Sequence, residues 1–489
     1  MTTPTRALPG RSRKLPRPSR RMAAVAAVPA LLVAGFVGFD TSSADATDKV
    51  VTSVSSFTKN GETFTATNHL VQDSPAIAKA KRELVESVLN GTNSDADQKK
   101  IVTSDGKIRH EWIVTWAGDW NAADNNTASA AKTKPVVAFD PKDARNNSVG
   151  PDFLAVVDAT KGSPTYGKVV NTVTTAPVVE NEPHHMQYLW HKGDEIFAGG
   201  LYSDITYVFD VKALPRVEIK GVNLPTDTPC GSIPDAFWTL KDGTAYGTYM
   251  GGADVPGPCT YTNGEVRLSN GFGGSPGSLV HISKEGDTLS EVPAALPKSE
   301  DPNVCLNLPA IPVATCANPH GIQAREDLNI LIASDYAEPR NIVLDPVKAP
   351  DARVFRPTVR TWDITQRDNA KLRSVSYMPD GPRKEVVAAH EEPRGIMETT
   401  VTNLPGHKGA FASSMCGGVI YYTPDITSKK PTWREVFDDT TAARTHNPQV
   451  NEGGGCDGGG WVQTSPDDKY LYHAVIGRNA GTIDPADTG

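Results

Sequence analysis

The sequence predicts an all-β fold, a β-propeller of six to eight blades preceded by a short N-terminal helical extension. Three observations lead there. Short apolar runs bounded by Gly, Pro and Asp, such as Phe153 to Asp158, Glu195 to Gly200 and Ile205 to Asp210, have the length and the Val, Ile, Tyr and Phe content of strands. The strand-turn-strand unit then recurs at spacings of roughly 45 to 85 residues, near the propeller-blade period with insertions in the longer gaps. Composition agrees: the 489 residues include 42 Gly and 38 Pro, and long helical patterns are scarce. No WD or kelch signature accompanies the repeat, and an array of β-sandwiches is the alternative architecture.

Taken in order, residues 1–46 read as an export signal. Arg11, Arg13, Lys14, Arg17, Arg20 and Arg21 form a basic stretch without acids, Met22 to Phe39 is almost wholly apolar, and Ala44-Asp-Ala46 supplies a small-residue cleavage site. A retained membrane anchor is the other reading of the apolar run, and the only membrane contact expected is through this segment left uncleaved. Ser19-Arg-Arg21 followed by Met-Ala-Ala carries part of a twin-arginine signal. A secreted or extracytoplasmic location follows.

Residues 47–106 are polar and hold one expected helix. Ser74 is its N-cap, Pro75 its first residue, and Asn90-Gly91 its stop; Ile77, Leu84, Val85, Val88 and Leu89 share one face. Residues 107–489 are assigned to the propeller. Strands are expected at Glu111 to Trp116, Pro135 to Asp140 and the runs named above. Further strands follow at Thr244 to Met250, Gly277 to Ile282, Leu328 to Asp335, Val359 to Ile364, Gly409 to Met415, Gly418 to Tyr422 and Lys469 to Val475.

The net charge of −8 gives no basic stripe, so nucleic acid is not an expected partner. All six cysteines (230, 259, 305, 316, 416 and 456) follow the export signal, where an even count favours disulfides over thiol chemistry. Cys230 with Cys259 and Cys305 with Cys316 are the short-loop pairs, leaving Cys416 with Cys456, although spacing alone permits fifteen pairings. No Cys-x-x-Cys, Gly-x-Ser-x-Gly elbow, His-Glu-x-x-His helix or phosphate loop occurs. The glycine run Gly453 to Gly460 reads as a tight loop around a disulfide, and Ser465 to Tyr472 as a turn feeding a strand.

The chemistry candidates are histidines expected in loops between units. Glu182-Pro-His184-His185-Met186 is one, Asn318-Pro-His320-Gly-Ile322 a second, Ala389-His390-Glu-Glu392 a third and His446-Asn-Pro448 a fourth. In the second, Pro fixes the approach, Gly permits a tight departure, and His320 is presented at a strand start. Glu391, Glu392 and Glu398 are placed to fix an imidazole tautomer. Such a centre suits copper or iron. The alternative for any single histidine is a hydrogen bond to loop backbone. His69, His110, His191, His281 and His407 read as ordinary surface or strand residues.

Asp152-Phe-Leu-Ala-Val-Val-Asp158, Ser163-Pro-Thr-Tyr-Gly-Lys-Val-Val170, the acid-x-His184-His185 pair and Tyr207-Val-Phe-Asp-Val211 together resemble the selenium-binding protein family, which includes methanethiol oxidases. Asp335-Tyr-Ala-Glu-Pro339 and the stretch from Gly459 to Tyr472 are similar to its later blades. The resemblance implies seven blades. In the oxidase members it implies a histidine-bound copper that turns methanethiol and oxygen into formaldehyde, hydrogen sulfide and hydrogen peroxide. The metal ligands it implies here are His184 and His185; where the family pattern departs, His320 and His390 are the candidates to stand in, and a lost metal site is the alternative. Those departures are Asp227-Thr-Pro-Cys-Gly231 and Thr402-Asn-Leu-Pro405 in place of family histidines, and a chain that stops at Gly489.

Three functions are carried forward. The first is an exported copper-dependent oxidase of small thiols. The second is a non-catalytic propeller that binds a selenium species or a protein partner, although paired cysteines disfavour covalent selenium. The third is a lactonase-like hydrolase. The oligomeric state is not readable from the sequence.

Overall fold

The computed structural model describes residues 49–118, 151–178, 181, 183–186, 194–201, 203–297, 300, 317–339, 355–379, 395–414, 419–438 and 458–476. The export signal, the strand expected at Pro135 to Asp140, His191, His390, Glu391, Glu392, His446 and Cys305, Cys316, Cys416 and Cys456 lie outside the described residues.

Alternation of apolar and polar residues produces twenty-five described strands, and they group into blades in chain order. The first sheet has the order β1-β2-β5-β4-β3, from β1 (Val50–Lys59), β2 (Glu62–Val71), β3 (Trp112–Ala117), β4 (Phe153–Asp158) and β5 (Val169–Ala176). The second runs β6 (Pro183–Met186), β7 (Glu195–Gly200), β8 (Ile205–Asp210) and β9 (Glu218–Asn223). The third is β10 (Gly231–Thr239), β11 (Ala245–Gly252), β14 (Ser278–Ile282) and β15 (Thr288–Pro293), with the hairpin β12 (Gly257–Thr260) and β13 (Val266–Ser269) inserted. The fourth is β16 (Pro319–Arg325), β17 (Ile330–Ala337), β18 (Phe355–Asp363) and β19 (Lys371–Tyr377). The fifth is β20 (Ile396–Val401), β21 (Ala410–Ser414), β22 (Val419–Thr423) and β23 (Arg434–Asp438); β24 (Gly458–Thr464) pairs with β25 (Leu471–Ile476) in the sixth. All pairings within these sheets are antiparallel.

The strands β3, β6, β10, β16, β20 and β24 pack in succession against one another, so each sheet offers an edge strand to a common axis. That is a β-propeller. The described residues supply six such sheets, against the seven blades expected.

Apolar layers between neighbouring sheets hold the ring together. Phe197, Val208, Phe237 and Val280 fill the space between the second and third sheets. Trp238, Leu279, Ile322, Leu331 and Trp362 join the third to the fourth. Ile332, Val359, Ile396 and Tyr421 join the fourth to the fifth. Each such side chain, fully buried, contributes about 1.5–3 kcal/mol.

The expected helix is present as α1 (Pro75–Leu89), capped by the Ser74 hydroxyl on the Ile77 amide. A second helix, α2 (Ala96–Ile101), closes Leu84, Ile101 and Val102 into a small apolar cluster. Residues 47–106 hold more than the single helix expected, since β1 and β2 lie there and extend the first sheet through β5. Their period of two is carried largely by Ser and Thr, which suit a pleated surface but leave little hydropathy signal. Phe64, Ala66 and Asn68 of β2 are nonetheless buried.

Candidate metal centre

Five of the six strands nearest the axis share one irregularity. In β6, Pro183 pairs with Gly200 and Met186 with Ala198, so His184 and His185 together face the single residue Gly199. In β10, Asp235 and Ala236 face Thr248 alone. In β16, His320 and Gly321 face Ser334 alone. In β24, Gly460 and Trp461 face one residue of β25, and β20 carries an extra residue at Met397. Each is a β-bulge, which bends the strand and re-aims the side chains beside it. Five neighbouring strands therefore turn side chains toward one place.

That place holds His184, His185, Asp235 and His320, with one donor atom from each lying within 4.8 Å of the others. Asp235 stands at the centre. Its Oδ1 is 3.1 Å from His184 Nε2 and 3.6 Å from His320 Nε2, and its Oδ2 is 3.5 Å from His185 Nδ1. The ring of His185 stacks on that of His184 at 4.4 Å and meets His320 edge-on at 4.7 Å. Only His184 has appreciable side-chain exposure, 30% against 5% or less for the other three, so the cluster opens on its side.

Two groups set the orientation of His320. Its Nδ1 donates to the Met397 carbonyl at 2.7 Å, which turns Nε2 toward Asp235. Glu398 Oε1 lies 3.3 Å from the same Nδ1 and 3.5 Å from His185 Nδ1. Aromatic rings complete the walls: Tyr336 lies 5.0 Å from His320 and Trp461 5.6 Å from His185, centroid to centroid.

The electrostatics follow from this packing. Burial works against charge on Asp235, but the facing His320 and His185 imidazoles and the hydrogen bond from His184 outweigh it and hold the carboxyl well below the usual range. Burial also opposes charge on His320, yet Asp235 and Glu398 push its pKa up to about 9. His185 is pushed well below the ordinary histidine value, by burial first, against the attraction of Asp235 and with the repulsion of its two imidazole neighbours.

The donor set fits a transition metal. Four donors at about 2.0–2.1 Å from one ion stand about 3.3 Å apart in a tetrahedron; His184 and His320 Nε2 stand 3.1 and 3.6 Å from Asp235 Oδ1, and the four donors lie within 4.8 Å of one another. Apart from these imidazoles, neither buried Asp235 oxygen meets a hydrogen-bond donor among the described residues, an arrangement that suits a cation held between the carboxylate and the rings. Three imidazoles and one carboxylate suit copper, zinc, iron or nickel.

The structure thus brings together His184, His185 and His320 of the expected ligands, while His390 lies outside the described residues. The histidine pair sits in a strand bulge and not in a loop, and both rings turn into the cluster. Glu398, one of the three acids expected to orient an imidazole, is in place. Asp235 was not anticipated. Its signal was a proline inside an apolar strand, Ile233-Pro234-Asp235, since proline within a sheet marks an edge or a bulge. His281, expected to be ordinary, is buried and links Asp368 to Thr244 at 2.8 Å on each side.

No family model matches the chain, and no curated protein matches it. Among solved structures it is similar to a hypothetical selenium-binding protein from Sulfolobus tokodaii, at 17% identity over 66% of this chain and 65% of that one, with a TM-score of 0.45. It is also similar to a periplasmic gluconolactonase from Pseudomonas aeruginosa, at 11% identity over 68% and 73%, with a TM-score of 0.38. The Cps50 (Swd1) β-propeller domain of Myceliophteria thermophila follows at 8% identity over 67% and 88%, with a TM-score of 0.29. The chain spans just under two thirds of the length of the first of these. What it has in hand is a β-propeller with a buried three-histidine, one-aspartate cluster on its axis.

Proposed function

We propose that this chain is an exported propeller of the selenium-binding-protein type whose axial cluster binds copper and oxidises small thiols such as methanethiol. The observation that carries the reading is the convergence of His184, His185, Asp235 and His320 on one point. Bound copper would supply one-electron redox chemistry at that point. Asp235 would bring negative charge to the cation, Met397 and Glu398 hold the His320 ring with Nε2 inward, and Tyr336 and Trp461 exclude water around it. The balanced reaction takes methanethiol, dioxygen and water to formaldehyde, hydrogen sulfide and hydrogen peroxide.

Export is supported by the Cys230–Cys259 disulfide, with Cα atoms 5.5 Å apart, which agrees with the pairing expected from spacing. No helix among the described residues is long and apolar enough to cross a membrane.

A second reading has its own observation. A complete four-donor set is what closed, structural metal sites present, whereas catalytic ones keep a position open. On that reading the propeller carries a metal, or binds a selenium compound or protein partner, without turnover. No feature of the cluster favours lactone hydrolysis. Copper-reconstituted protein given methanethiol under air distinguishes the readings: oxygen uptake with sulfide and peroxide release supports the oxidase, and stoichiometric copper without either product supports the second.

A further inference from the structure

We infer that Asp204, on the turn between β7 and β8, is the positioning residue for Asp235, and that it acts by holding Ile233 in a left-handed backbone conformation. The inference rests on reading the axial cluster as a metal centre. Ile233 has φ +62°, a left-handed conformation that is strained for a β-branched residue and in which such residues are rarely found. Strain of this kind persists only where the surroundings over-determine it.

Here they do, on three sides. The Asp204 Oδ1 accepts the Ile233 amide at 2.8 Å, and the Ile233 side chain packs with Leu201 from the same turn and with Met250. The Pro234 carbonyl lies 2.8 Å from the position a Cβ of Gly199 would take, so β7 can approach only because that residue is glycine. Beyond Asp235, the Ala236 amide donates to Thr248 Oγ1 at 3.2 Å, and the Thr248 hydroxyl donates to the His320 carbonyl at 2.6 Å. The bulge is thus pinned before and after Asp235, and its carboxylate has one direction left, into the three imidazoles. Asp204 is buried, its other oxygen has no hydrogen-bond partner, and it belongs to the second blade while Asp235 belongs to the third. Among the described residues no hydrogen bond or ion pair joins it to a donor of the cluster, and its hydrogen bond to the third blade is to the Ile233 amide.

The test compares the full-length wild type with Asp204→Ala and Asp204→Asn. Copper affinity is read by chelator competition, and exchange of the Ile233 amide by hydrogen-deuterium measurements on the metal-free proteins. Asn keeps the acceptor, so Asp204→Asn is expected to bind copper within about 3-fold of wild type, while Asp204→Ala loses about 10- to 100-fold, the range for residues that orient metal ligands. Ile233 protection should fall in the Ala variant alone. Equal copper affinity in all three proteins overturns the inference, and so does an Asn variant as weak as the Ala variant. If Asp204→Ala does not fold, the Asn variant alone decides, because a role for the charge and not the acceptor would weaken it. Wild type that takes no copper sinks the metal reading. The exchange measurement then still decides this one, since unchanged Ile233 protection in Asp204→Ala overturns it.

Discussion

Glu398 occupies the space that a side chain at Gly321 would need: its Oε2 lies 1.7 Å from where a Cβ of residue 321 would stand. This is why the residue after His320 is glycine, and it ties the fifth blade to the fourth at the point where Glu398 reaches the imidazoles of His320 and His185.

Gly321→Ala should therefore push Glu398 off both rings. The expected result is about a 10- to 100-fold loss of copper affinity in chelator competition, with about 1–3 kcal/mol of lost stability from overpacking. Glu398→Ala in the Gly321→Ala background should recover the stability but not the affinity. Recovery of both would mean that Glu398 does not orient the ligands.

Glu291, on β15, gives a pH dependence remote from the cluster. Burial raises its pKa to about 7 despite hydrogen bonds from the Cys230 amide and the Ser278 hydroxyl. The folded state thus keeps a proton to about pH 7 that the unfolded chain releases near 4.5. Between those values the unfolded state binds fewer protons, so stability falls as pH rises through this window and levels off above it. Glu291→Gln mimics the protonated acid. It should raise the urea midpoint at pH 8 and leave it nearly unchanged at pH 4.5, with a difference on the order of 2–3 kcal/mol. Equal midpoint shifts at the two pH values would contradict this.

Arg360 anchors a buried charge cluster in the fourth blade. Its Nη1 and Nη2 donate to Glu300 at 2.7 and 2.6 Å, and its Nε donates to Asp335 at 2.5 Å. Arg360→Leu leaves Arg356 as the one cation beside those carboxylates among the described residues, and should cost about 3–5 kcal/mol in chemical denaturation. A loss below 1 kcal/mol would show that the cluster is not the blade's anchor.

Much of this molecule was legible in its residues. Strands such as Ile205 to Asp210 and Ile330 to Ala337 announce themselves by apolar content and bounding turns, and Ser74-Pro75 marks a helix start that the structure keeps. His184, His185 and His320 stood out because Pro precedes each motif and Gly follows His320. What stayed hidden depends on register. A bulge is one extra residue on one strand, visible only when the partner strand is known, so the inward turn of both histidines and of Asp235 could not be read along the chain. The strands β1 and β2 were hidden because Ser and Thr carry their alternation.

The most direct measurement is elemental analysis of the exported protein after copper reconstitution, beside a His184→Ala/His185→Ala variant with matching circular dichroism. The account predicts close to one copper per wild-type chain and about a tenth of that or less in the variant. Wild type without a transition metal, or a variant that retains its copper, would contradict it.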